Sequence, residues 1–553
     1  MDRWRQATPL LSSGHAACGR GEAREGGTRE RSFLRIAALD LGSNSFHLLV
    51  ADVHADGTFT AVAREKEMLR LGDDVARHGR VPPATVERSI GAVRRLVRLA
   101  DALGAREVIA KATSAIRTAA NGSELIDRIE TETGIDVEVI SGLEEARLIF
   151  AAVRASVVID PPPAFGIDVG GGSVEMMIGD ASGLRWATSL PLGVGRLTAE
   201  CVRDDPPSKG DRRRLEERVR SGLEPLVDEV RARDPRMAVG TSGTLNDLVR
   251  MAVALESGEI ELPPSTNALR ATCADLHTLH DRIMRTKSAD RRRMAGLEEQ
   301  RRAELLPAGS TLLVTALDLF ALDGLTVSDW ALREGIVLDA VRTHDPADFG
   351  DDPRALRRAA VAGLARRCSS DAAHTSQVAR LALRLFDQLG PLHGLDERDR
   401  EMLEFAALLH DVGQHVSRKG HHRHAAYLVE NGELRGFDPA EVAFLAALVR
   451  HHRRGDPKPT EARFAALDAT QRDRLRKLAA ILRVADGLDR SRRGVVGDVR
   501  VDLGTDLVML RVSAVEDAEL ELWGARRRRE LFEKVYGREL EVLAAAVPST
   551  SHL

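Results

Sequence analysis

The sequence predicts an α/β module built twice over, followed by an all-α domain and a small C-terminal α+β segment. Three observations carry this. A strand, a glycine turn and a second strand recur in two stretches of similar layout, at Asp40-Leu-Gly-Ser and at Asp168-Val-Gly-Gly-Gly-Ser. Short apolar runs alternate with helical periodicity as far as about residue 340. Beyond the Asp/Pro/Gly-rich stretch 343–354, strand patterns vanish until about residue 490 and then return as alternation in "GVVGDVRVDLGTDLVMLRVS". At 553 residues the chain exceeds what one core uses. The expected divisions are an extension over 1–32, a first half over 33–155, a second half over 156–342 and a linker over 343–355. A helical domain over 356–492 and a small domain over 493–553 complete the chain.

In the first half, "LRIAALD" and "FHLLVADV" read as a hairpin around a Gly/Ser/Asn tip, and "TFTAVARE" as a third strand. Val86, Ile90, Val93, Val97 and Ala100 recur at helical spacing, which predicts a helix over 84–103. A strand at "EVIAKAT", a helix over 121–133, a strand at "DVEVI" and a helix over 142–154 follow. After "DPPPA" the pattern restarts with "FGIDVGGGSVEMMIGD" and "RWATSLPLG". A charged helix over 211–233, a strand at "MAVGTSGT" and a helix over 244–256 come next. A single helix over 525–546 is expected to close the chain. Residues 1–32, rich in Gly, Arg, Glu and Ser without period, are expected to be a disordered extension.

Composition excludes several classes. Hydrophobic residues at 43% and charged residues at 30% describe a globular chain. Lys and Arg number 80 against 84 Asp and Glu, a formal charge of −4, so nothing draws the whole chain to nucleic acid and no sequence-specific nucleic-acid partner is expected. Four scattered cysteines, Cys18, Cys201, Cys273 and Cys368, make no C-x-x-C pair. This excludes a disulfide scaffold and a cysteine zinc ribbon, and it fits a reducing, cytoplasmic setting. No apolar run approaches the roughly 18 residues of a spanning helix, so no membrane partner is expected.

The glycine turns carry the chemistry. Gly42 permits close backbone approach, and the N–H groups around Gly42, Ser43, Asn44 and Ser45 can form an anion nest, with Asp40 at the strand end able to hold a divalent cation. Gly170, Gly171 and Gly172 in succession cost several times the roughly 0.5–1 kcal/mol of one mid-strand glycine. A phosphate pressing on that turn, with Ser173 as a further donor, would justify them. Gly240-Thr-Ser-Gly-Thr, with Ser242 and Gly243, is a third such turn. Glu175 returns on the strand after Asp168, near the same cleft. Arg117 lies just beyond a strand, where a guanidinium can pair with phosphate oxygens. Glu144 and Glu145 open a helix, where acids either complement the helix dipole or supply a general base; position alone leaves both open.

The ordered segments "ALDLGSNSFHLLVAD", "ATSAIRTAANG", "ISGLEEARLIF", "IDVGGGSVE", "LPLGVGRLT", "VGTSGT" and "VSDWALREG" resemble the exopolyphosphatase/guanosine pentaphosphate phosphatase (Ppx/GppA) family from about residue 34 to 340. The resemblance implies an actin-like ATPase fold of ribonuclease-H-like halves with substrate between them, and Mg²⁺-assisted hydrolysis of a terminal phosphoanhydride. It implies that Glu145 is the acid/base, with Glu144 its alternative. It assigns Asp168 and Glu175 to the metal and water site and Arg117 to phosphate. A homodimer is expected from the family.

The helical region orders His374, His410-Asp411 and Asp486 in an H…HD…D pattern, with His421, His422, His424, His451 and His452 nearby. Nitrogen and oxygen donors so grouped suit a divalent metal. The segment resembles the HD metal-dependent phosphohydrolase domain, with His374, His410, Asp411 and Asp486 as ligands and His424 and His452 as further candidates; the metal would be Mn²⁺, Fe²⁺ or Mg²⁺. The expected activity is release of terminal phosphate from inorganic polyphosphate, of the 5′-phosphate of guanosine pentaphosphate (pppGpp), or both. The competing readings are a sugar or acetate kinase on the same fold, a non-enzymatic polyphosphate- or alarmone-binding regulator, and a hydrolase acting through the HD site.

Overall fold

The computed structural model describes residues 34–54, 58–257, 265–344, 353–453, 456–458 and 460–545. The expected 1–32 extension, and most of the 343–355 linker, lie outside the described residues. The chain divides into two compact units, Met1–Leu262 with Ala268–Asp352 and Pro263–Asn267 with Pro353–Leu553. Among the described residues, no helix is long and apolar enough to cross a membrane.

Unit 1 begins with β1 (Leu34–Leu41), β2 (Ser45–Val53), β3 (Phe59–Met68), α1 (Leu71–His78), α2 (Pro83–Ala102), β4 (Glu107–Ala112), α3 (Ser114–Thr118), α4 (Gly122–Thr133), β5 (Val137–Val139) and α5 (Gly142–Arg154). It continues with β6 (Ala164–Val169), β7 (Val174–Asp180), β8 (Gly183–Leu190), α6 (Val194–Cys201), α7 (Lys209–Leu223), α8 (Val227–Arg231), β9 (Met237–Thr241) and α9 (Gly243–Ser257). Its last elements are β10 (Arg270–Thr272), α10 (Cys273–Arg285), α11 (Ser288–Arg291), α12 (Leu306–Phe320), β11 (Gly324–Val327) and α13 (Leu332–His344). The first sheet has the order β3-β2-β1-β4-β5 and the second β8-β7-β6-β9-β11, with β10 added at its edge. In each, an antiparallel hairpin leads into parallel pairings, β1 with β4 in one and β6 with β9 in the other. The two halves therefore share one plan.

Each half lends a helix to the other. α5, which follows the first sheet, packs on β7 and β8, and α13, which follows the second, packs on β1 and β2. Ile149, Phe150 and Val153 of α5 and Ile336, Val337 and Ala340 of α13 are buried in one apolar cluster with Ile36 and Ala38 of β1 and Met177 of β7. Separate cores serve the outer face of each half. The crossing is tight: a Cβ on Gly335 would lie 2.1 Å from the Leu148 carbonyl oxygen.

Sequence and structure differ at the charged helix expected over 211–233. α7 ends at Leu223, a 3₁₀ turn covers Glu224–Leu226, and α8 is separate. Pro225 lacks an N–H and its ring clashes with the preceding turn, which breaks the helix there.

Unit 2 comprises α14 (Pro353–Arg367), α15 (Ala372–Gln388), α16 (Gly390–His393), α17 (Glu397–Leu409), α18 (His421–Glu430), α19 (Pro439–Arg450), α20 (Ala462–Ala465) and α21 (Ala469–Gly487). β12 (Val496–Leu503), β13 (Leu507–Ala514), α22 (Glu519–Arg526), α23 (Glu530–Tyr536) and β14 (Glu539–Ala544) follow. The single closing helix expected over 525–546 does not form. Gly537, at a φ of 64°, caps α23, and β14 then pairs in parallel with β13, burying Leu540 and Val542. The segment expected as a small domain of its own shares one apolar cluster with the helices, from Val361 to Val542.

Gly335→Ala should destabilise the protein by about 1–3 kcal/mol, because the added methyl meets backbone and not a yielding side chain. A reduced midpoint in urea unfolding is the expected result.

Candidate functional site

The two glycine tips of unit 1 face each other. A Cβ on Gly171 would lie 2.5 Å from the Asn44 side chain, and one on Gly172 would lie 2.9 Å from Ser43 Oγ and 3.1 Å from Ser114 Oγ. A Cβ on Gly193 would meet the Gly171 and Gly172 backbone at 2.4 Å. Gly170, Gly171 and Gly172 all have ordinary negative φ, so close approach by the protein's own chain is sufficient reason for them. Between the tips lies a cavity of about 350 Å³. It is lined by Asp40, Gly42, Ser43, Asn44, Ser45, Glu145, Asp168, Gly170, Gly171, Ser173, Ser242 and Gly243, as well as several basic residues. These positions sit where strands β1, β6 and β9 end, the edge at which α/β sheets bind ligands.

Asp40 and His47 are paired across β1 and β2, and Asp168 and Glu175 occupy the equivalent positions on β6 and β7. Glu175 is fully buried and accepts a hydrogen bond from Ser189 Oγ at 2.7 Å. Asp168 accepts one from Thr241 Oγ1. Asp40 Oδ1 is buried without a hydrogen-bond partner.

The acidic pair divides. Ser141 caps α5 by accepting from the Glu144 N–H at 3.1 Å, which sets the helix rotation. Glu144 then turns away and accepts from Arg147 at 2.9 and 2.7 Å. Glu145 is 7% exposed and lines the cavity. Arg117 donates to the Ile140 carbonyl at 2.5 Å and to Glu145 Oε2 at 3.3 Å. It is thus set to orient Glu145 and is not among the residues lining the cavity. Gly240 also lies off the cavity, packed against Leu245 and Leu325.

Electrostatically the site is a crowd of acids. Burial, then the neighbouring Glu175, pushes Glu145 well above the usual carboxylate range, against the pull of Arg117. Burial lifts Asp40 to about 7 and Glu175 to about 7, with Asp168 adding to both. Around them stands a basic rim that the sequence reading missed: Lys66, Arg70, Arg77, Arg301, Arg302 and Arg333. Lys66 pairs with Glu299 at 2.6 Å, and Arg302 with Asp247 at 2.8 Å. Arg333 lies in the "WALREG" segment, so its motif was visible although its direction was not.

Unit 2 holds a second constellation. The ligand atoms of His374, His410 and Asp486 lie within 4.8 Å of one another, as do those of Asp411, His421 and His452. The groups adjoin, because His374 Nε2 is 3.8 Å from Asp411 and 3.7 Å from Asp486. Each histidine is oriented through Nδ1. His374 bonds Asp489 at 2.7 Å, His410 the Ala407 carbonyl at 2.7 Å, His421 the Arg418 carbonyl at 3.1 Å and His452 the Val449 carbonyl at 2.8 Å. This arrangement fixes the tautomer so that Nε2 presents a lone pair inward, as metal-ligating histidines do. His410 Nε2 is buried with no hydrogen-bond partner, and the Nε2 atoms of His421 and His452 face each other at 3.2 Å. Burial opposes ionisation of Asp486, yet the Arg528 guanidinium beside it brings it down to about 2. The sequence reading offered His424 as a ligand. The structure puts His421, one turn earlier on the helix, in the cluster instead.

Comparison with known proteins agrees with both units. Residues 49–344 match the Ppx/GppA phosphatase family, and residues 356–519 match Ppx/GppA phosphatase, domain III. Proteins named Exopolyphosphatase 1 from Mycobacterium bovis and Mycobacterium tuberculosis are each 32% identical over 309 residues, 55% of this chain and 88% of theirs. The crystal structure of an exopolyphosphatase from Cytophaga hutchinsonii is 30% identical, with a TM-score of 0.51, covering 57% of this chain and 99% of that one. An Aquifex aeolicus member of the Ppx/GppA family is also 30% identical, with a TM-score of 0.48 and the same coverage. The duplicated sheets of unit 1 are accordingly those of an actin-like ATPase fold. Since the matched segments run through both units, the chain belongs to the Ppx/GppA phosphatase family.

Proposed function

We propose that the cleft of unit 1 hydrolyses terminal phosphoanhydrides with Mg²⁺, acting on the ends of inorganic polyphosphate and on the 5′-phosphate of pppGpp. The observation that carries this is Glu145, buried at the wall of the cavity and oriented by Arg117 opposite the facing glycine tips. Similarity to proteins named exopolyphosphatase supports polyphosphate as the first substrate.

The residues fit a divalent cation. Asp40 Oδ1 is an orphaned buried oxygen, Asp168 is its acidic neighbour and Glu175 is paired with Asp168 across β6 and β7, and oxygen donors are what Mg²⁺ prefers. Bound there, the ion supplies neutralisation of phosphoryl charge. The rest falls to the chain. Backbone N–H groups at Gly42–Ser45 and at Gly171 and Ser173 hold the terminal phosphoryl oxygens, the Gly170 N–H being spent on the Ser173 carbonyl within the turn, and the basic rim holds the following ones. Glu145 orients a water molecule and takes its proton. The water oxygen bonds to the terminal phosphorus as the bridging P–O bond breaks, and the shortened chain leaves with its electron pair. A carboxylate raised toward neutrality is well matched to accepting that proton.

A second reading concerns unit 2, where the inward lone pairs of His374, His410, His421 and His452, with Asp411 and Asp486, favour an HD-type centre for Mn²⁺ or Fe²⁺. His410→Ala should lower the metal content of the purified protein, measured by elemental analysis. Equal metal content in both proteins would remove this reading.

Glu145→Gln should lower phosphate release from long-chain polyphosphate by roughly 10²–10⁴-fold, with substrate still bound. Undiminished release would take Glu145 out of the reaction. The raised acids also set a pH dependence. Their neutral forms are favoured by the fold, so their contribution is fully present below about pH 4 and lost as pH rises through about 7. In the presence of a chelator, the thermal midpoint of the wild type should fall more from pH 5.5 to pH 8 than that of Asp40→Asn. Mg²⁺ should restore the wild type most at pH 8. Identical pH slopes in the two proteins would contradict the assignment.

A further inference from the structure

The histidine cluster of unit 2 is bordered by guanidinium groups that the chemistry above leaves without a task. Arg492, in the turn after α21, donates to Asp411 Oδ2, and Arg528, between α22 and α23, donates to Asp486 Oδ2. The two arginines border a single centre, since His374 Nε2 lies 3.8 Å from Asp411 and 3.7 Å from Asp486.

The carboxylates divide their oxygens in an informative way. Asp486 turns Oδ1 to His374 and His410, at 3.7 and 3.9 Å, and gives Oδ2 to Arg528. Asp411 turns Oδ1 to His421 at 3.2 Å, and its Oδ2, 3.8 and 3.7 Å from His374 and His410, is shared with Arg492. Asp486 can therefore serve a cation among the histidines through Oδ1 and a guanidinium through Oδ2 at once, and Asp411 keeps Oδ1 for the cation while its Oδ2 lies between the histidines and Arg492. With divalent cations held there, positive charge exceeds that of Asp411, Asp486 and Asp489, and the centre calls for an anion. Arg528 is 15% exposed at its side chain, so its charge is held in a partly desolvated place where an anionic partner counts for more than in water. A guanidinium carries five donors in a planar fork; Arg528 commits one nitrogen to Asp486, and Arg492 commits Nη2 to Asp411 with Nη1 3.6 Å from Asp371, so each keeps donors suited to phosphoryl oxygens.

We infer that Arg492 and Arg528 form a phosphoryl-binding pair at the histidine cluster, so that unit 2 takes a phosphate ester or anhydride, with the C-terminal segment supplying half of its recognition. The inference rests on the reading of this cluster as a metal centre. It gives the β12–β14 segment a purpose beyond packing: α22 and α23 lie against α21, the helix that carries Asp486, and set the turn that presents Arg528.

The test is calorimetric titration of inorganic phosphate into the full-length protein loaded with Mn²⁺, with metal content measured on the same samples. The His410→Ala protein provides the reference for phosphate bound elsewhere in the chain. The wild type should show an additional phosphate site that the reference lacks. Arg492→Ala and Arg528→Ala should each weaken that site roughly tenfold or more while Mn²⁺ is retained. Arg528→Lys, which keeps the charge without the fork, should fall between. Competition by tripolyphosphate and by a nucleoside monophosphate, run side by side, tells which phosphoryl source the site prefers. An additional site of unchanged affinity in Arg528→Ala, or a wild type that holds Mn²⁺ there without an additional phosphate site, overturns the inference and leaves the metal centre standing. A wild type that holds no Mn²⁺ in unit 2 overturns both. Should Arg528→Ala lose its metal through misfolding, Arg528→Lys decides: weaker phosphate binding with metal retained supports the pair, and unchanged binding refutes it.

Discussion

The close approach of the two glycine tips is the constraint around which unit 1 is organised. At Gly171 and Gly172 there is no room for even a methyl group beside Asn44 and Ser43, and Gly193 presses on the same turn from behind. With no side chain at Gly171 and Gly172, the tips offer backbone N–H groups and the short polar side chains of Ser43, Asn44 and Ser173 to the space between them. A surface of that kind suits an anion. The strand ends that carry the tips also carry Asp40 and Asp168, which brings acids and anion-binding backbone into one cavity.

The exchange of helices between the halves holds this geometry in place. α5 belongs to the first half by sequence and to the second by packing, and α13 does the reverse. Glu145 occupies the first turn of α5 and Arg333 the first turn of α13, so the crossing that joins the halves also delivers a carboxylate and a guanidinium to the cleft. The cost is visible in the acids, whose burial together raises their proton affinity. A site that disfavours its own charge to this degree is one that a bound cation would stabilise.

Much of this was legible in the sequence because it is local. The Asp-x-Gly-Ser turns, the period-2 strands around them and the duplicated order are short-range patterns. The choice between Glu144 and Glu145 was not legible: neighbours on a helix point about 100° apart, and only the Ser141 cap and the tertiary packing fix which faces the cavity. His421 and His424 pose the same problem, since residues three apart share a helix face. Lys66, Arg302 and Arg333 reach the cleft from distant segments and leave no periodic trace. The final strand was hidden by the helix-forming run "VLAAAV", and only Gly537 and the pairing with β13 break that reading. The Pro225 break in the charged helix was, by contrast, written in the sequence and outweighed there by the surrounding periodicity.

The central claim is that phosphoryl groups are held in the narrow space between the tips. The most direct measurement is phosphate release from long-chain polyphosphate by Gly171→Leu, whose side chain would have to occupy that space, with circular dichroism to establish that the protein remains folded. Release should be abolished while the folded signature is kept. Wild-type release from the folded variant would contradict the account.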